Sequence, residues 1–279
     1  MVKPHTEDLV PTEPGHESPL AFAVREQDRA TLDMVRDALD QRNVLLAFQP
    51  VIQSRGSDKP AFYEGLIRVL DDTGRIIPAR DFMGTVETTE LGRRIDCASL
   101  ELGLIALASE SSLRLSVNMS ARSIGYPAWM RTLKQALRRD ASLGDRLILE
   151  ITESSAMLMP DIVSVFMEEL QNYGISFALD DFGSGYTAFR YFKDFYFDII
   201  KIDGQFIRGI ASNPDNQVLT AALISIARHF DMFTVAEQVE SAEDAQYLAA
   251  LGVDCMQGYY FGAPTTMPPW KIPKQRQRA

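Results

Sequence analysis

The chain is expected to fold as an α/β protein, a (β/α)8 TIM-like barrel with the first strand antiparallel. Eight apolar runs of strand length recur along its 279 residues. Helical patterns separate most of them, which indicates parallel pairing through crossovers. The first two runs are joined only by "QSRGSDK", too short for a crossover, so those two strands must be antiparallel neighbours. The rival arrangement is an open doubly wound sheet.

Taken in order, residues 1–25 carry Pro4, Pro11, Pro14 and Pro19 among acidic and small residues and read as a flexible N-terminal segment. A linker to another domain is the competing reading. The domain proper spans 26–265. Leu32, Val35 and Leu39 stand at helical spacing and predict a helix over 28–42. Strands are predicted at 45–52, 60–68, 113–118, 146–151, 175–180, 197–201, 233–237 and 253–257. The long gap from Arg68 to Leu113 fits two helices, "ARDFMGTVETTEL" and "RIDCASLELGLIALAS". Further helices are expected at "SVFMEELQNY" and "VLTAALISIARHF". Residues 266–279 form a basic C-terminal tail, ending in the mobile stretch "WKIPKQRQRA".

Composition removes several function classes. A net charge of −10 argues against a groove for polymeric nucleic acid, which needs a basic stripe. Cys97 and Cys255 make neither a disulfide framework nor a zinc set, and a reducing cytoplasm is the expected setting. No apolar run approaches the ~20 residues of a membrane helix, and no signal-peptide core is visible. His5, His16 and His229 are the only histidines, which argues against a histidine-rich metal site or a Ser-His-Asp triad.

One event repeats along the chain: an apolar run ends on a polar residue. Asn118, Glu150, Asp180, Lys201, Glu237 and Gln257 all stand at such positions. A lone polar residue there usually marks the start of solvent. In a parallel barrel, however, all C-terminal strand ends open onto one face, so these six would converge on one mouth. Acids gathered there repel one another unless a cation intervenes. Oxygen donors without usable His or Cys favour Mg²⁺, Mn²⁺ or Ca²⁺ over zinc. In "FALDDFGSGYT", Asp180 and Asp181 are adjacent, and the second is free to turn into the loop. Asp180 could then bridge two ions and Asp181 hold one. Taken alone, "DDFGSG" also reads as an Asp-rich turn. In "YEGLIR", strand alternation puts Glu64, Leu66 and Arg68 on one face. Glu64 could ligate metal and Arg68 a phosphate; an internal Glu–Arg pair is the alternative. Glu153, just after a strand, is either a helix-start acid or a brace for the loop 182–190.

The ordered series "FQP", "EGLIR", "SVNMS", "EITES", "DDFGSGY", "IKIDGQF", "AEQVE" and "QGYYF" resembles EAL-type cyclic di-GMP phosphodiesterase domains over roughly residues 40–265. The resemblance implies a barrel with a reversed first strand and hydrolysis of cyclic di-GMP to linear pGpG with two Mg²⁺ or Mn²⁺ ions. Ca²⁺, with its looser coordination geometry, is expected to bind and inhibit, and the resemblance implies a homodimer. By position, Glu64, Asn118, Glu150 and Asp180 look like ligands of the first metal, and Asp180 and Asp181 like ligands of the second. Glu237 resembles the acid completing the second metal's surroundings, and Lys201 the residue holding the attacking water. Gln257 resembles a group supporting the metal-site water network. Gln49, Leu66 and Arg68 fall where the family contacts substrate, and Glu153 where it anchors the loop after the double Asp. A catalytically weak or inactive receptor that holds cyclic di-GMP and acts through a protein partner is the alternative. Three departures stand out: Gly65 where Ala is usual, Gln238 where Gly is usual, and the aromatic-rich "GYTAFRYFKDF".

Overall fold

The computed structural model describes residues 18–56, 59–183 and 195–272. Nine strands occur among them: β1 Val44–Gln53, β2 Pro60–Leu70, β3 Ile76–Pro78, β4 Leu115–Asn118, β5 Leu147–Thr152, β6 Ser176–Phe182, β7 Ile199–Ile202, β8 Phe233–Ala236 and β9 Cys255–Met256. The ring runs β1-β9-β8-β7-β6-β5-β4-β2 and closes through β1–β2. β1 is antiparallel to both β2 and β9, and the other pairs in the ring are parallel. The closed barrel with one reversed strand is therefore as expected, and the open sheet is not.

The helices are α1 Pro19–Asp40, α2 Met83–Val86, α3 Glu90–Ser109, α4 Pro127–Arg139, α5 Glu153–Ala156, α6 Pro160–Gln171, α7 Gly204–Ile207, α8 Pro214–His229 and α9 Ala242–Leu251. Their apolar faces cover the outside of the ring, with Trp129, Leu133, Phe166 and Leu170 among the buried residues.

The inside of the barrel is built in two layers, a consequence of strand period 2. Val51, Phe62, Ile148, Ala178, Ile199, Val235 and Cys255 form one buried apolar cluster. Two residues further along each parallel strand stands a polar side chain: Glu64 above Phe62, Glu150 above Ile148, Asp180 above Ala178, Lys201 above Ile199, Glu237 above Val235 and Gln257 above Cys255. On the reversed β1 the order inverts, so Gln49 precedes Val51. An apolar plug thus closes the barrel beneath a polar ring.

Four expectations need correction. α1 begins at Pro19, inside the segment read as flexible. Ser18 accepts a hydrogen bond from Ala21 N at 3.1 Å, and Pro19 occupies the first helical turn, where its missing N–H costs nothing. Residues 1–17 lie outside the described residues. The helix expected over 79–91 is instead a 3-10 turn, Ala79–Asp81, the short α2, and the start of α3. Thr89 caps α3 by accepting from Leu91 N, and β3 precedes the turn, antiparallel to β2. β6 runs on to Phe182 rather than ending at Asp180. Finally, the tail is not free at its start. Thr265 pairs with Phe48 through two backbone bonds, and the Trp270 ring packs edge-on against Phe48 at 5.2 Å and Tyr63 at 4.7 Å. The β1–β2 hairpin has no crossover helix of its own, and Trp270 covers these two outward rings instead. Residues 273–279 lie outside the described residues.

Asp96 of α3 ties a helix to the rim. Its carboxylate accepts from Ser120 N at 3.0 Å and from the Ser123 hydroxyl, two residues of the segment following β4. Burial pushes its pKa up to about 7, against the opposing pull of those two donors. The folded chain therefore keeps a proton that the unfolded chain releases from about pH 4 upward, and this group's contribution falls as pH rises towards 7. Asp96→Asn should gain on the wild type in urea-unfolding free energy as pH is raised from 4.5 to 7.5. A difference that stays flat across that range would contradict the assignment.

Candidate active site

The polar ring is organised by one ammonium group. Lys201 Nζ, only 1% exposed, lies 2.8 Å from Glu150 Oε2, 2.8 Å from Asp180 Oδ1, 2.8 Å from Glu237 Oε1 and 3.5 Å from Glu64 Oε2. Asn118 Nδ2 donates to Glu64 Oε1 at 2.9 Å, and Gln257 Nε2 donates to Glu64 Oε2 at 2.6 Å. Gln257 Nε2 also reaches Gln49 Oε1 at 3.2 Å, and Gln49 Nε2 donates to the Gly262 carbonyl at 3.0 Å. Glu64 and Gln49 are direct cross-strand partners, which the reversal of β1 makes possible.

These contacts set the charges. Four acids face one lysine, so full ionisation would leave the ring with surplus negative charge. Burial opposes protonation of Lys201, but Asp180, Glu150, Glu237 and Glu64 together hold its pKa well above the ordinary range. Burial raises Glu237, and it lifts Glu150 to about 8 with help from the Glu64 charge. Burial pushes Glu64 the same way, yet Lys201 and the Gln257 and Asn118 amides outweigh it and keep Glu64 low.

The adjacent aspartates reach the site through a bulge. Simple alternation would point Asp180 and Asp181 to opposite faces. Instead the β6–β7 register shifts between Leu179 and Phe182, and Asp181 adopts a left-handed backbone with φ 54°. A bulge of this kind re-aims a side chain. Carboxylate oxygens of Asp180, Asp181 and Glu237 come within 4.8 Å of one another. Burial, then the Asp180 charge, pushes Asp181 up to about 6. The turn at Asp181, expected in a loop beyond the strand, lies within β6.

The donor set suits hard divalent cations. Every acidic ligand candidate offers oxygen, burial and mutual repulsion raise Glu150, Glu237 and Asp181 for want of a further cation, and Glu150 Oε1 and Gln257 Oε1 are buried without a hydrogen-bond partner among the described residues. Above the ring opens a cavity of about 450 Å³ whose lining includes Leu66, Arg68, Arg80, Arg208, Gln238 and Tyr259. Arg68 donates to the Ile67 carbonyl at 2.9 Å and forms no ion pair with Glu64, so the internal-pair alternative is not realised. Glu153 sits apart from the ring, buried at the start of α5, and its Oε2 accepts from Gly183 N at 3.0 Å. It thus grips the first residue after β6. Residues 184–194, with most of "GYTAFRYFKDF", lie outside the described residues.

The sequence alone does not mark Arg80, Arg208 and Gln238 as cavity residues. Arg80 depends on β3, too short to predict, which places the following turn beside Arg68. The Gln238 departure did carry a signal. Gln238 has φ 55°, a conformation that costs a non-glycine residue about 1–2 kcal/mol, which explains why glycine suits the position. Gly65 faces away from the site: a Cβ there would meet Leu46 Cδ1 and the Ser116 carbonyl, both at 3.2 Å.

A closed barrel with a reversed strand and an acid-rich ring at its C-terminal rim defines the EAL class. Residues 32–264 match the EAL domain family, and the chain belongs to it. Cyclic di-GMP phosphodiesterase PdeF of Escherichia coli is 30% identical over 239 residues, 84% of this chain but 32% of the relative. The bifunctional diguanylate cyclase/cyclic di-GMP phosphodiesterase MucR of Pseudomonas aeruginosa is 29% identical over 89% of this chain and 37% of its own length. The chain thus spans about a third of the length of these relatives. Among solved structures, the FimX EAL domain from Pseudomonas aeruginosa bound to cyclic di-GMP superposes with TM-score 0.77 at 26% identity, covering 85% of this chain and 96% of that one. A MucR phosphodiesterase complex with cyclic di-GMP gives TM-score 0.73 at 27% identity over 89% of this chain and 99% of that one.

Mg²⁺ or Mn²⁺ should raise the melting temperature of the wild type. An ion at 100 times its Kd adds about 2.7 kcal/mol. Glu150→Gln should lose most of that increment while still unfolding cooperatively. Melting curves of the wild type indifferent to both ions would contradict the metal fit.

Proposed function

We propose that the protein hydrolyses one phosphodiester bond of cyclic di-GMP to give linear pGpG. The observation that carries this reading is the oxygen-rich ring around Lys201 at the base of an arginine-lined cavity. Glu64, Asn118, Glu150 and Asp180 would hold a first divalent ion, and Asp180, Asp181 and Glu237 a second. Two such ions supply charge neutralisation and activation of water for in-line displacement at phosphorus. Mg²⁺ and Mn²⁺ fit this role; Ca²⁺, with looser coordination, would occupy the site and inhibit.

The chain's own groups do the rest. Lys201 orients the attacking water beside the acids that share its proton bonds. Arg68 binds a phosphate oxygen with its forked donors. Leu66 and Gln49 bound the substrate side of the cavity, and Gln257 fixes the rotamers of Gln49 and Glu64. Water adds at phosphorus, one ribose oxygen leaves with a proton, and a 5′-phosphate remains on the product. Glu153 holds Gly183 and so the exit of β6 beneath this chemistry. In the same reading the domain works in the cytoplasm as a homodimer. The names of the relatives and the cyclic di-GMP complexes of the similar structures support the substrate.

Incubation with cyclic di-GMP and Mg²⁺ or Mn²⁺ should yield pGpG. Glu64→Ala should reduce turnover at least 100-fold while retaining a cooperative melt, and Ca²⁺ alone should support none. Tight binding of cyclic di-GMP without turnover in either metal would establish the receptor instead.

A further inference from the structure

Gln238 directly follows Glu237, adopts a left-handed backbone, and lines the cavity. Non-glycine residues held in this region at a site point to a role that outweighs the strain. Its side chain lies over Gly204, where any Cβ would collide with it, 2.7 Å from Gln238 Cβ. The absence of a side chain at 204 is therefore what makes room for Gln238. Its Oε1 accepts a hydrogen bond from Arg208 Nη2. Arg208 stands just past α7, is 62% exposed, and lies 3.9 Å from Glu240. It lines the same cavity as Asp180, Asp181 and Glu237. A long, exposed arginine would otherwise sample many rotamers.

We propose that Gln238 is a positioning residue that fixes Arg208 as a cationic arm over the cavity, where it takes an acceptor-only group of the substrate. The inference rests on the cyclic dinucleotide reading above. Guanidinium donors match either the O6/N7 edge of guanine or a phosphate oxygen pair. The bond to Gln238 sets the direction of the guanidinium before substrate arrives, so less freedom is lost on binding.

The test uses the full chain with Mg²⁺. Turnover of cyclic di-GMP by the wild type is measured first, and its absence sinks the functional reading on its own. Given turnover, Gln238→Gly is informative because glycine fits the backbone better. The variant should melt at the same or a higher temperature, yet show KM raised about fivefold or more, with kcat changed less than KM. Arg208→Ala should raise KM similarly, and the double variant should be no worse than the weaker single within a factor of two. Unchanged KM in Gln238→Gly, or effects of the two changes that multiply, would overturn the proposal. Competition by cyclic di-AMP, which keeps the phosphates and lacks O6, identifies the acceptor. A Ki unaffected by the variants places the arm on the base, and a raised Ki places it on a phosphate.

Discussion

The structure depends on a charge imbalance held in place by a closed sheet. Glu64, Glu150, Asp180 and Glu237 all lie within 3.5 Å of one ammonium group. They come from β2, β5, β6 and the end of β8, so no single loop can rearrange to separate them. Removing such charges from water costs several kcal/mol each, and one lysine cannot offset four, so Glu150 and Glu237 hold their protons more tightly than free carboxyls do. Such a ring is held by the barrel around it. A divalent cation that matches its oxygen donors would complete it.

Closure requires the apolar plug beneath. Phe62, Ile148, Ile199 and Val235 occupy the interior one strand period below the polar ring. They exclude water from its underside, which strengthens each electrostatic contact above. Strand reversal matters for the same reason. With β1 antiparallel, Gln49 pairs with Glu64 in register and passes the restraint on to Gln257 and Gly262. The β6 bulge then turns Asp181 back towards Asp180. The fold thus supplies five acids, two amides that orient Glu64, and a lysine at a single depth.

Much of this was legible in the chain. The polar residues closing each apolar run marked the ring, because period 2 and barrel topology leave them nowhere else to point. The short "QSRGSDK" connection marked the reversed strand. Other features depend on tertiary context. β3 has three residues and gains its pairing only beside β2, so Arg80 had no visible address. Pro19 looks like a breaker in sequence but sits in a helix's first turn behind Ser18. Trp270 looks like part of a charged tail until the uncovered hairpin face is known. Asp181 required a bulge that composition does not announce, and the partnership of Gln238 with Gly204 joins residues far apart in the chain.

On the proposed function, the ring would cage a pair of hard ions. Anomalous diffraction from crystals grown with Mn²⁺ and cyclic di-GMP tests it most directly. Two peaks ~3.5–4 Å apart are expected, bounded by Glu64, Asn118, Glu150, Asp180 and Asp181. Manganese absent from this ring at saturating concentration, with Lys201 still holding all four acids, would contradict the account.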